Sequence, residues 1–161
     1  MAVEKKAERP KTFSKKPLGV EKPEPSVSSQ KQSPLSKAEK GQLIEFLRGM
    51  SRLDRFLEAS AVVTRDGTLL ASAHSTRAKP EMMSTISSAL YGIGEDSIRA
   101  ISGGKIRLVT IIAEQCVLML SPINEDTILL LVTSPKSNLG LLHMQSELVA
   151  QNIAKFLATF S

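Results

Sequence analysis

The chain has 161 residues, of which 42% are hydrophobic and none is tryptophan, and it carries a net charge of +5. That length supports one folded domain with a sizeable core plus some additional chain, and the longest aliphatic run, Ile128 to Val132, falls far short of the roughly 20 residues that span a bilayer. One cysteine, Cys116, permits neither an internal disulfide nor a cysteine-based metal cage, and an amino terminus too charged for a signal peptide makes the cytoplasm the expected compartment.

The charge is concentrated at one end. Residues 1–40 hold ten Lys or Arg against five Asp or Glu, whereas residues 41–161 hold eleven of each. Residues 1–35 also contain five of the eight prolines and show no hydrophobic period. They are expected to form a disordered, basic, Pro-rich tail, with the folded domain at 36–161. A solvated leader is the simpler reading of such a tail, and contact with an anionic surface is the sharper one. Phe13 alone does not interleave the basic residues in the way nucleic-acid binding favours, so nucleic acid ranks last among its partners.

The first element opens on Ser36-Lys37-Ala38-Glu39, a capping box preceded by Pro34. Leu43, Phe46, Leu47, Met50, Leu53, Phe56 and Leu57 then follow a helical spacing, which predicts an amphipathic helix over roughly 37–55. Ala61-Val62-Val63-Thr64 and Leu69-Leu70-Ala71 flank Arg65-Asp66-Gly67-Thr68, and an Asp-Gly pair between two β-prone runs predicts a hairpin. A polar loop from His74 to Lys79 leads to Pro80, placed for the first turn of a second helix.

That second helix carries no charge from Met82 to Gly94. Met82, Ile86, Ala89, Leu90 and Ile93 form one face, which is expected to meet the sheet. The other holds Ser84, Thr85, Ser87, Ser88 and Tyr91, where a surface helix would place Lys and Glu. Small hydroxyl residues let another backbone approach closely, so this second face is expected to meet a second subunit.

Three strands are predicted at about 105–112, 116–122 and 127–133, separated by gaps of hairpin length, and they form an antiparallel meander. Val117 to Leu120 and Ile128 to Val132 are apolar on both alternations, which requires cover on both faces of the sheet. The strand at 105–112 alternates Lys105 and Arg107 with Ile106 and Leu108 before turning apolar at Val109, Ile111 and Ile112. At a sheet edge such a strand is an aggregation hazard unless it is paired, and pairing with its own copy across a twofold axis removes the hazard. Lys105, Arg107, Val109 and Ile111 therefore join the predicted interface. A final helix from about Asn138 to Phe160 closes the core, giving an α/β sandwich of five antiparallel strands with helices on both faces in the order α-β-β-α-β-β-β-α.

No constellation of catalytic side chains accompanies this fold. Gly103-Gly104-Lys105 lacks the remainder of a phosphate loop, since Arg99 stands where the first Gly is required and Ile106 where the hydroxyl is required. The glycines at 92 and 94 and at 103 and 104 read instead as the end of a helix and the start of a turn. His74 and His143 have no metal-binding companions at motif spacing, and Cys116 reads as a small buried hydrophobe. Arg65, Arg77, Arg99 and Arg107 read as solvated arginines rather than catalytic fingers. No catalytic, metal or cofactor site is assigned.

Ala61-Val62-Val63-Thr64-Arg65-Asp66-Gly67 in the hairpin and Ser137-Asn138-Leu139-Gly140-Leu141-Leu142 at the start of the last helix, at this separation and with these elements between them, resemble the Roadblock/dynein light chain family. The resemblance covers roughly residues 42–160 and implies a Roadblock/profilin-like fold. It further implies a homodimer, or a heterodimer with a paralogue, in which the second helix and the middle strand of each subunit meet. The implied role is a scaffold or regulator of a Ras-like small GTPase that supplies no catalytic arginine. The alternative is a small-molecule sensor of PAS- or GAF-like architecture, which would need a pocket with convergent polar groups. The inner strands, filled with Leu, Val, Met and Ile, favour the adaptor.

Overall fold

The computed structural model of the protein describes residues 35–75 and 79–160. The tail expected over 1–35 lies outside the described residues except for Leu35, as do positions 76–78 of the loop expected before the second helix. The elements are α1 (Lys37–Leu53), β1 (Leu57–Thr64), β2 (Leu69–Ser75), α2 (Pro80–Ala100), β3 (Val109–Ile112), β4 (Val117–Pro122), β5 (Thr127–Thr133) and α3 (Leu139–Ala158). The strands form one antiparallel sheet in the order β2-β1-β5-β4-β3. The expected element order and the cover on both faces hold.

Period-two alternation sorts the strand residues into two cores. Val62, Val117, Met119, Leu129 and Leu131 pack with Leu43, Leu47 and Met50 of α1 and Leu142 and Ile153 of α3. Ala61, Val63, Leu120, Ile128, Leu130 and Val132 point the other way and pack with Tyr91 of α2. β5 is buried along its whole length, as a central strand between two helical layers must be.

The capping box at the start of α1 is formed: the Glu39 amide donates to Ser36 Oγ at 3.2 Å, and the Ser36 amide donates to the Glu39 carboxylate at 2.6 Å. The helix ends earlier than its apolar spacing predicts. Asp54 turns extended at φ −127°, and its carboxylate accepts the Phe56 amide at 2.8 Å. Leu57 opens β1 rather than extending the helical stripe. α2 runs longer than expected, to Ala100, so Gly92 and Gly94 lie inside it and do not end it. Asn138 caps α3, its side chain accepting the Leu141 amide at 3.1 Å.

Candidate protein-interaction surface

The second helix largely faces opposite to its sequence reading, although Leu90 packs on the sheet as expected. Ser84, Ser87 and Tyr91, expected at an interface, are buried against the chain's own sheet. Met82, Ile86 and Ile93, expected on the sheet, are instead 58%, 45% and 65% exposed, with Ala89 exposed beside them. The hairpin approaches α2 on one flank, where the helix carries Ser84, Thr85, Ser87 and Ser88: Gly67 adopts φ +89°, and a Cβ there would stand 3.4 Å from the Thr85 Cα, in ordinary van der Waals contact. Their hydroxyls are largely satisfied locally. Ser84 Oγ donates to the Glu81 carbonyl at 2.8 Å and Thr85 Oγ1 to the same carbonyl at 3.2 Å, which lets polar residues occupy a packed helical face. Ser87 Oγ is buried with no hydrogen-bond partner among the described residues. Thr85 is exposed and Ser88 half-buried, on the flank facing the hairpin.

The hairpin is fastened to that flank by Arg65. Its guanidinium pairs with both carboxylate oxygens of Glu95, one contact measuring 2.7 Å, and lies 5.2 Å from the Tyr91 ring centroid. Its backbone carbonyl accepts the Ser88 hydroxyl. The hydrogen bond that Arg65 donates to Glu95 raises the Arg65 pKa against the opposing effect of desolvation. Burial raises the Tyr91 phenol, with Glu95 adding to the shift and Arg65 opposing it. Asp66, in the turn, is lowered by the Thr64 hydroxyl and the Thr68 amide that donate to it. Arg65 is a surface arginine, as its sequence context predicts, but a paired one. Its partner lies thirty residues away, and no local spacing signals the pair.

β3 is the far edge strand, bonded to β4 alone. It spans four residues rather than the eight expected. Ser102 and Gly104 take φ values of +55° and +85°, which makes the preceding segment a turn. Arg107 is drawn away to Glu147 of α3 at 3.0 Å, and Lys105 is exposed in the connection. These two predicted interface residues lie before the strand. Val109 is half-buried in the Tyr91 cluster, and Ile111 faces the same side of the sheet, exposed. A Cβ at Gly94 would meet the Ile106 Cδ1 at 3.2 Å and the Val109 Cγ2 at 3.5 Å, so α2 lies directly against the start of β3. The outward stripe of α2 thus ends, at Ile93 beside Gly94, next to the start of β3. A second stripe, Leu141, Met144 and Leu148, is exposed on α3.

Among the described residues no group of three or more His, Cys, Asp or Glu is placed to hold a metal ion, and no helix is long and apolar enough to cross a membrane. His74 is exposed in β2, His143 stands 3.7 Å from Glu147, and Cys116 is half-buried just ahead of β4. Arg99 is 3.4 Å from Asp96, and Arg77 lies outside the described residues. A cavity of about 450 Å³ is lined by Glu95, Arg99, Ser102, Gly104, Lys105 and Ile106. It opens beside the α2–β3 connection and not within the sheet, whose interior is filled by fully buried Met119, Leu129 and Leu131.

Residues 54–133 match the family described as Roadblock/LC7 domain. No curated protein matches the chain by sequence. Among solved structures, it is similar to the Roadblock/LC7 domain from Streptomyces avermitilis, with 17% identity over 71% of this chain and 97% of that one and a TM-score of 0.67. Myxococcus xanthus MglB aligns at 12% identity over 79% and 96%, with a TM-score of 0.72. A Schizosaccharomyces pombe profilin aligns at 13% identity over 70% and 97%, with a TM-score of 0.52. At these identities the likeness is one of fold.

Proposed function

We propose that the chain, whose residues 54–133 match the Roadblock/LC7 domain, is a member of that family and a non-enzymatic adaptor that dimerises and engages a Ras-like small GTPase. The observation that carries this reading is the outward apolar stripe of α2, Met82, Ile86, Ala89 and Ile93, lying beside the open edge of β3. A soluble protomer rarely leaves such a stripe uncovered next to an unpaired strand. A twofold axis normal to the sheet would set β3 antiparallel to its mate and bring the two α2 stripes together in one contact. The second chain is another copy or a paralogue with a matching stripe.

The interface residues of this reading are therefore Met82, Ile86, Ala89 and Ile93 with Val109 and Ile111. Ser84, Ser87 and Tyr91 support them from beneath. The GTPase assignment rests on family membership. Arg65, Arg99 and Arg107 each hold a carboxylate of the same chain, which fits an adaptor that acts by binding and supplies no arginine finger. The test is a pull-down from source lysate with excess GDP in one arm and a non-hydrolysable GTP analogue in the other. Enrichment of a small GTPase in one nucleotide state supports the adaptor, and its absence from both arms refutes it.

A further inference from the structure

The chemistry holding α2 in place differs from that holding α1 and α3. α1 buries Leu43, Leu47 and Met50, and α3 buries Leu142 and Ile153. α2 fully buries only two serines and Tyr91, and directs Met82, Ile86 and Ile93 away from the sheet. Its amino-terminal end has no side-chain cap from Lys79. Apolar burial, which scales with the area removed from water, thus anchors α2 less than the other two helices. Beside the partly buried Met83 and Leu90, what fixes it is directional: the paired Arg65–Glu95 contact, the Arg65 guanidinium over Tyr91, the Ser88 hydroxyl on the Arg65 carbonyl, and the Gly67 backbone against Thr85. Three of these four contacts pass through Arg65.

From this we infer that Arg65 is the positioning residue of the interaction surface: it clamps α2 to the β1–β2 hairpin and so holds the outward stripe in register with the β3 edge. The inference rests on the dimer reading above and adds the device that sets its geometry. Bidentate arginine–carboxylate pairs fix orientation as well as distance, and Arg65 acts on the surface without belonging to it. Loss of the clamp leaves the sheet and both of its α1- and α3-facing contacts intact, so α2 is freed locally.

The experiment compares the full chain with Arg65→Gln and with Glu95→Gln, which breaks the pair while leaving Arg65 over Tyr91. Two readouts are taken: amide hydrogen exchange at concentrations where the chain is monomeric, and the dimer dissociation constant by sedimentation. In Arg65→Gln, exchange across α2 should rise about fivefold while exchange across β5, which reports global unfolding, rises by much less; the dissociation constant should rise at least about twofold, because the closed α2 no longer holds its stripe in register with β3. Glu95→Gln should show the same pattern to a smaller extent. Equal acceleration in α2 and β5 would mean that Arg65 contributes only to general stability, and that overturns the inference. Selective opening of α2 with an unchanged dissociation constant overturns it as well. A wild-type chain that stays monomeric at every concentration instead overturns the dimer reading, and the positioning role with it.

Discussion

Replacing Ile93 by alanine tests which side of α2 is sticky. The substitution removes three carbons, worth about 0.8 kcal/mol each when fully buried, or roughly 2.4 kcal/mol in all. Ile93 is 65% exposed in the protomer, so about two-thirds of that value, ~1.5 kcal/mol per copy, is gained only when a second chain covers it. A twofold contact counts the residue twice, which makes ~3 kcal/mol per dimer and a dissociation constant weaker by on the order of 100-fold. The protomer itself should not suffer, because alanine is the better helix former. Sedimentation equilibrium over a concentration series measures the association, and thermal unfolding of the dilute protein measures the protomer. Met144→Ala on the α3 stripe, at similar exposure, is the control and should leave association unchanged. The reasoning is refuted if Ile93→Ala dimerises as tightly as wild type, or if Met144→Ala weakens the dimer equally.

Two further outcomes follow from the packing of the opposite side of α2. Ser87→Ala removes a buried hydroxyl that lacks a hydrogen-bond partner among the described residues and improves helix propensity, so it should stabilise the protein by about 1 kcal/mol in denaturant titration. Burial raises the Tyr91 phenol above its ordinary value of 10.0; its contribution is therefore complete below that pH and lost as pH climbs through the raised folded value. The stability difference between wild type and Tyr91→Phe should accordingly be flat up to about pH 10 and shift against wild type above it, as unfolding curves recorded from pH 7 to 11 would reveal.

Features encoded by neighbouring residues were legible in the sequence. The Ser36–Glu39 capping box, the Asp66-Gly67 turn and the apolar alternations of β4 and β5 each carry their signal within a few positions, and each appears where expected. The orientation of α2 was not legible, because a stripe of Ser and Thr reads equally as a face meeting a partner and as one pressed on the chain's own backbone. The deciding fact is tertiary: Tyr91 joins the apolar cluster of the sheet, and Ser84 and Ser87 of the same helix are buried with it. Composition did signal correctly that both faces of this helix lack the charge of a solvated surface; it could not say which face belonged inside. The start of β3 failed for a related reason. Lys105 and Arg107 alternate as strand residues do, yet the turn at Ser102 and Gly104 and the reach of Arg107 to Glu147 remove them from the sheet. The Arg65–Glu95 pair left no trace in local spacing, since it joins a hairpin to a helix thirty residues further on.

The most direct test of the interaction surface is hydrogen exchange of the wild-type chain, followed at concentrations above and below its dimer dissociation constant. The amides of Val109–Ile112 that point away from β4 should gain protection at high concentration while those of β2, the other sheet edge, do not change. Protection that appears along β2 or α3 and leaves β3 unchanged would contradict the proposed surface.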